Sequence, residues 1–489
     1  MNFANAIKNE QKWTRTENDA IALRTTGEKV LDLFSVVGAL RDTDKTRIET
    51  LVAEAYNDNP DLTMKTLFYG RDIRGGGLGE RETFKIAMQY LAKHHPESVR
   101  KNIEYFGEYG RFDDLYCLID TPVEKDMWEY VKVQLGADMK ALIAGKSSIS
   151  LLAKWLKTAD ASSPKTRKLG IYTAKNLGMT VYTYKRVIRK LRKHLNIVET
   201  KMSDNKWGDI QYDQVPGRAS MIYRNAFKRH DEYRYGEFLN AVNKGEKKIN
   251  AFTLYPYDLV EKYQERYWGW AGAEDPTVEA LWNNLPNYVE PGTNAVVMAD
   301  TSGSMCGRPM NSALGLAIYF AERNTGAYHN LWMTFSGCPV WQELRGETLN
   351  QKLRNMDMRG WQMNTNLQAA FELVLETAIK NRVPANEMPK SIIVISDMEI
   401  DSCCSARWTF YDQTRARFAQ HGYEIPQIIF WNVNSRHDVF HADSTRKGVI
   451  LCGGQSATTF KTLVNSVGMT PVEYMMSVLN NDRYKPIKA

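Results

Sequence analysis

Four short runs in the second half of the chain, NAVVMAD, SIIVISD, IPQIIFWNV and GVILCGG, are apolar at successive rather than alternate positions. Nothing else in the sequence constrains the fold as tightly, because a strand that is apolar on both faces has to be covered on both. The stretches between these runs have helix length and amphipathic spacing, at residues 311–324, 366–379, 409–421 and 456–466. Together with NLWMTFS and a brief VWQEL they predict a parallel sheet with helices on either side, a doubly wound α/β domain. Ligands of such domains bind outside the carboxyl ends of the strands. Asp300 ends the first run and Asp397 the second, so both carboxylates are expected along that edge.

The 489 residues suffice for two or three domains, and before residue 290 the texture is helical. ERETFKIAMQYLAKHH sets Phe84, Ala87, Met88 and Leu91 on one stripe, with Pro96 as its stop. SVRKNIEYFGEYG follows at once and predicts the second half of an α-hairpin. Further helices are expected at 46–57, 123–143, 183–195, 219–229, 234–243 and 256–265, with loops short enough for antiparallel neighbours. The expected organisation is multidomain: an all-α bundle or solenoid over 1–287 and the α/β domain over 288–489.

In MADTSGSMCG, Asp300, Ser302 and Ser304 alternate at the end of the first run. Hydroxyls two residues apart in an extended turn point to one side, which suits a hard divalent cation that takes oxygen ligands; Mg²⁺ also keeps several of its waters. Asp300 and Asp397 supply charge, and Thr365 in GWQMNTN, just before the 366–379 helix, is the natural third hydroxyl. Three hydroxyl ligands, with the two carboxylates mostly holding the metal's waters rather than the ion itself, leave such a metal under-neutralised and ready to accept an acidic group from a partner. That is capture rather than catalysis, and no general base stands by for a phosphodiester attack.

The chain carries a net charge of +7, yet residues 151–250 hold 22 Lys/Arg against 9 Asp/Glu, so the remainder is acidic in sum. The densest stretch, PKTRKLGIYTAKNLGMTVYTYKRVIRKLRKHLN, contains Lys165, Arg167, Lys168, Lys175, Lys185, Arg186, Arg189, Lys190, Arg192 and Lys193 and no acid. A run of one sign suggests a polyanion such as RNA opposite it; the alternative is a solvated helix face with no ligand. Tyr172, Tyr182 and Tyr184 interleave with the cations, and each either stacks on unpaired bases or packs between helices.

Other constellations carry less. The loop Gly75-Gly76-Gly77-Leu78-Gly79 follows no strand and lacks a G-K-[ST] ending, so it reads as a helix connection. Arg71, Arg74 and Arg81 beside it either pair with the neighbouring acids Asp72, Glu80, Glu82, Asp113 and Asp114 or face RNA; the equal abundance of acids there favours internal pairing. His437 and His441 have no accompanying zinc-motif glutamate and read as a solvated loop, and Cys403-Cys404 as incidental. Six scattered cysteines, no apolar leader and no long apolar run imply reduced thiols, no membrane span and a cytoplasmic protein. No nucleophile and base declare themselves, so no enzyme is expected.

Asp300-x-Ser302-x-Ser304 with Thr365 and Asp397 in this order resembles the metal-ion-dependent adhesion site of von Willebrand factor A domains, although Asn364 stands where glycine often precedes the threonine. YGRDIRGGGLGERETF and YGRFDDLY are similar to the TROVE module of Ro-type RNA-binding proteins. With LAKWLKTADASS, KWGDIQYDQVPGRA, FWNVNS and RYKPIK, they resemble most closely a family of uncharacterised proteins that pair a Ro-like region with an A domain. This resemblance implies HEAT-like helical repeats closed into a monomeric ring by the A domain. It also implies binding of small structured or misfolded RNA on a basic surface, and Mg²⁺ at the adhesion-type site. Two other readings stand beside it: an adaptor whose metal captures an acidic protein ligand, and a nuclease built on Asp300 and Asp397. Hydroxyl-rich ligation disfavours the nuclease.

Overall fold

The computed structural model describes residues 12–265, 269–270, 272–335, 338–358, 361, 365–401, 410–463 and 466–489. Asn364 and the Cys403-Cys404 pair lie outside them, and no disulfide joins the described cysteines. Among the described residues no helix is long and apolar enough to cross a membrane.

The chain builds a helical N-terminal region followed by an α/β region with one six-stranded sheet. Its strands are β3 (Ala295–Asp300), β4 (Leu331–Phe335), β5 (Val340–Glu343), β6 (Ser391–Ser396), β7 (Gln427–Asn432) and β8 (Val449–Gly453), in the order β5-β4-β3-β6-β7-β8. All neighbours are parallel except β4 and β5, which form an antiparallel edge. Every residue of β3, β6, β7 and β8 is buried, as their unbroken apolar runs require. Chain order reverses between β3 and β6, which opens a crevice at their carboxyl ends.

Local chemistry sets many helix starts. Asp44 accepts from the Thr46 N–H and opens the helix Lys45–Asp58; Ser163 with Pro164 opens Pro164–Asn176; Thr180 opens Val181–His194. The stripe of Glu82–His94 is buried as expected, whereas the segment after Pro96 is not one helix. It splits into Pro96–Arg100, a 3₁₀ turn at Ile103–Tyr105 and Phe106–Tyr109, because Asn102 turns its amide to the Ser98 carbonyl (2.7 Å) and to Lys488 of the C-terminal tail. The expected 256–265 helix likewise stops at Val260.

Both ends of the helical region dock on the α/β unit. The helix Lys29–Val36 lies against β8 and the helix Pro471–Leu479, and the chain just beyond it approaches so closely that a Cβ on Gly38 would sit 2.6 Å from Gly454 Cα. At the other end the helix Pro256–Val260 packs on Arg308–Arg323. A short hairpin, β1 (Trp13–Arg15) with β2 (Ile21–Leu23), reaches the carboxyl edge of the sheet through backbone bridges Asp19 to Asp401 and Leu23 to Phe440. A half-open cavity of about 1120 Å³ is lined mainly by the helical region, with Ser456, Ala457 and Thr458 of the α/β region also on its wall.

Candidate functional site

Asp300 is the last residue of β3, and Asp397 follows β6 directly, so both side chains lie at the crevice. Asp300 is fully buried: its Oδ1 accepts the Ser302 N–H (2.9 Å) and its Oδ2 the Ser396 hydroxyl (2.6 Å). Burial and then the charge of Asp397 hold the Asp300 carboxyl well above the usual carboxylate range. Ser302 Oγ and Ser304 Oγ are 3.1 Å apart; the first is buried and the second exposed, so the set runs from the interior to solvent. Thr365 is buried, its N–H donating to Asp401 Oδ2 (2.7 Å) and its carbonyl accepting the Asp401 N–H (3.0 Å).

The residues fit a hard cation on a specific observation. Thr365 Oγ1 is buried without a hydrogen-bond partner, a state that costs about 1–3 kcal/mol, and at the strand ends burial and the charge of Asp397 together disfavour a bare charge on Asp300. Among the described residues no three His, Cys, Asp or Glu side chains gather into a metal set; hydroxyl donors supported by carboxylates would suit Mg²⁺ rather than zinc. A bound divalent cation would supply positive charge and positions open to an anionic ligand. His437 and His441 do not converge: the first lies on Glu399 (Nδ1 to Oε1, 2.8 Å), the second on the Met398 carbonyl (3.0 Å). The expectation of a solvated loop fails at His441, which is buried against Phe430.

Three partners escaped the sequence reading: Ser396 on Asp300, Asp401 on Thr365 and Arg436 on Asp397 (Nη2 to Oδ2, 2.9 Å). The signal for Arg436 was its place just past β7, at the same carboxyl edge as Asp300 and Asp397.

The basic segment folds as two helices. On Pro164–Asn176, Lys165, Arg167, Lys168 and Lys175 are exposed. On Val181–His194, Lys185, Arg189 and Arg192 line the cavity, while Arg186, Lys190 and Lys193 are exposed on the rest of the helix. Not all of these charges are available. Lys185 pairs with Asp160 (2.8 Å). Arg192 corrects its reading as a phosphate contact: its guanidinium is spent on the Ala153 and Leu156 carbonyls (2.8 and 2.7 Å), and burial lowers its pKa. Tyr172 donates to Glu124 (2.6 Å), and buried Tyr184 donates to the Lys157 carbonyl (2.8 Å); both are packing residues. Tyr182 alone of the three is open, 70% exposed, with Arg186 over its ring at 5.7 Å.

Ten Lys/Arg against five Asp/Glu line the cavity, so its wall is net positive. Much of that charge is braced from behind: Arg71 on Asp114 (2.7 Å), Arg81 on Asp113 (2.8 Å), Arg41 on Glu80 (2.9 Å). Arg111 pairs with Asp113 (2.9 Å) and stacks 3.9 Å over Trp155, itself a wall residue. Arg74 donates to the Gly107, Glu108 and Gly110 carbonyls. Internal pairing with acids therefore holds for Arg71 and Arg81 but not for Arg74, and all three also line the cavity.

Comparison with known proteins corrects the resemblance drawn from the motifs. The family models that match are two domains of unknown function, DUF2828 over residues 16–130 and 128–290 and DUF7788 over residues 294–486, and neither is the TROVE nor the von Willebrand A family. The motifs behind that resemblance are short, and a serine turn after a buried strand or a glycine connection between helices arises in many folds. An uncharacterised protein of Acanthamoeba polyphaga mimivirus is 28% identical over 511 residues, covering 96% of this chain and 88% of its own. The DUF2828 match spans more than half of the chain, and the protein belongs to that family.

Proposed function

We propose that this protein is a non-enzymatic RNA-binding protein that holds small structured or misfolded RNA against its basic helices and cavity. The observation that carries the reading is the helix Val181–His194: it bears six Lys/Arg and no acid, with Arg186, Lys190 and Lys193 on the open surface and Arg189 on the wall of the net positive cavity. Lysine and arginine contacts to phosphate give salt-dependent affinity with little sequence preference. Exposed Tyr182 and Phe252, the latter on the cavity wall, offer faces on which unpaired bases stack. On this reading the helices are HEAT-like hairpins closed within one chain by the α/β unit, and the protein acts as a monomer. The test is fluorescence anisotropy with a hairpin RNA bearing a single-stranded 3′ tail, across a salt series. Binding that steepens as salt falls supports the reading; affinity no better than background at moderate salt overturns it.

A second reading has its own support. The oxygen set at the sheet edge opens to solvent at Ser304, which suits a Mg²⁺ ion that takes one ligand from an acidic residue of a protein partner. Loss of Mn²⁺ binding in Asp300→Ala is what it requires.

A further inference from the structure

The loop after β7 is gripped from several directions. Arg47, on the helix Lys45–Asp58, donates Nη1 to the Ser435 carbonyl (2.7 Å) and Nη2 to the His437 carbonyl (2.7 Å), and it pairs with Asp438 (2.8 Å). Thr43 Oγ1 donates to the same Ser435 carbonyl (2.9 Å). Arg436 then bridges two carboxylates of different elements, Nη2 to Asp397 Oδ2 (2.9 Å) and Nη1 to Glu17 Oε2 (2.8 Å).

Glu17 lies in the turn of the β1–β2 hairpin. Its N–H donates to Glu399 Oε2 (2.7 Å), while neighbouring Thr16 Oγ1 donates to the Ile400 carbonyl (2.7 Å) and Asn18 Nδ2 to the Glu399 carbonyl (2.8 Å). The polar ties of the turn thus run to Arg436, to His437 (Nδ1 to Glu17 Oε1, 3.6 Å) and to residues 399–401, two to four positions beyond Asp397. Asp397 itself has Oδ1 on the Glu399 N–H (3.2 Å) and Oδ2 on Arg436.

We propose that Arg436 is a built-in counter-ion that competes with a divalent cation for Asp397, so that cation binding at the sheet edge and docking of the N-terminal hairpin oppose each other. The inference rests on the cation reading of Asp300, Ser302, Ser304, Thr365 and Asp397 given above. Asp397 is almost completely buried, so a guanidinium and a metal ion drawn to it repel with little screening. A guanidinium that leaves Asp397 also weakens its hold on Glu17, because one planar fork spans both carboxylates. Linkage makes the effect reciprocal: whatever undocks the hairpin raises cation affinity by the same factor that the cation loosens the hairpin.

The experiment uses the full chain with Mn²⁺ as the probe, its affinity read by electron paramagnetic resonance, beside hydrogen exchange of residues 12–24 with and without Mg²⁺. Arg436→Gln is expected to bind Mn²⁺ at least about tenfold more tightly than wild type, within the range usual for two coupled sites. In the wild type Mg²⁺ is expected to reduce protection of residues 12–24; in Arg436→Gln it leaves them unchanged. Equal or weaker Mn²⁺ binding by a folded Arg436→Gln overturns the competition. Should that variant fail to fold, the wild-type exchange experiment decides alone: unchanged or greater protection with Mg²⁺ overturns the proposal. Saturable Mn²⁺ binding lost in Asp300→Ala keeps the cation reading standing in either case. Absence of any such binding removes both.

Discussion

The charges of the Val181–His194 helix divide by availability, and the division predicts numbers. Arg186, Lys190 and Lys193 are exposed and off the cavity wall, whereas Lys185 is on Asp160 and Arg192 on two backbone carbonyls. Each phosphate neutralised on a single strand contributes about 0.7 to the slope of log affinity against log salt. Replacing Arg186, Lys190 and Lys193 together by glutamine therefore makes the slope shallower by about 2. Between 50 and 200 mM salt the variant loses about 20-fold less affinity than wild type does. Replacing Lys185 and Arg192 removes the same kind of charge but should flatten the slope by less than about 0.7, since neither side chain is free for phosphate. It lowers folding stability instead, because the Ala153 and Leu156 carbonyls lose their donor. The assay is anisotropy of one labelled RNA at five or more salt concentrations, with thermal melts of each variant. A double variant that changes the slope as much as the triple would refute the partition; an unchanged slope in both would remove the helix from the interface.

Tyr182→Ala is expected to weaken binding of an unpaired oligonucleotide by about 1–3 kcal/mol without changing the melting temperature, while Tyr184→Phe costs about 1 kcal/mol of stability and leaves RNA affinity intact; the two together test the assignment of one tyrosine to the surface and the other to the core. Thr365→Val should leave the cation-free protein as stable or more stable, since it removes an orphaned hydroxyl, yet weaken Mn²⁺ binding; a loss of stability in the absence of cation would argue against that assignment. Asp113 supplies a pH dependence. Burial opposes its ionisation, but the hydrogen bond and charge of Arg111 and the charges of Arg81 and Lys157 outweigh it and hold the carboxyl down at about 2. A carboxylate depressed in the folded state contributes its stability above the unfolded pKa near 4, and that contribution, about 2 kcal/mol, is lost as pH falls from about 4 to 2. Urea melts over this range should show Asp113→Asn less pH-dependent than wild type.

How much of this could be read in advance follows from where each feature's partners lie. The sheet was legible because a strand buried on both faces writes its burial into consecutive residues, and strand ends fixed Asp300 and Asp397 on one edge. Helices with a local cap, such as Lys45–Asp58, or a clear apolar stripe, such as Glu82–His94, carried their own signals. The hairpin β1–β2 did not: its strands are three residues long, and the residue that secures Leu23 is Phe440. The break after Arg100 has the same origin, since Lys488 turns Asn102 aside. Composition located the basic segment, but whether a cation faces phosphate or a carbonyl depends on the fold around residues 153–156, which periodicity cannot supply. Short motifs drew the chain toward the wrong family because a metal-friendly turn records local geometry, not descent.

The two candidate sites meet in one short stretch of chain. Arg41 faces the cavity, held by Glu80 (2.9 Å) and by the Tyr257 hydroxyl (3.0 Å). Asp42, the next residue, pairs with Arg308, which opens the helix after the Ser302–Ser304 turn. Thr43 and Arg47 then grip the loop that carries Arg436. A displacement of Arg436 at the cation edge is therefore passed to a segment whose other end is a cavity wall, through contacts that are each either made or broken. If that segment transmits, RNA affinity depends on Mg²⁺ in the wild type and not after Arg47→Gln and Asp42→Asn are combined. The double-mutant cycle across Arg436 and Arg47, read as RNA affinity with and without Mg²⁺, measures that coupling directly. A cycle that closes to within about 0.3 kcal/mol would mean that the two sites act independently.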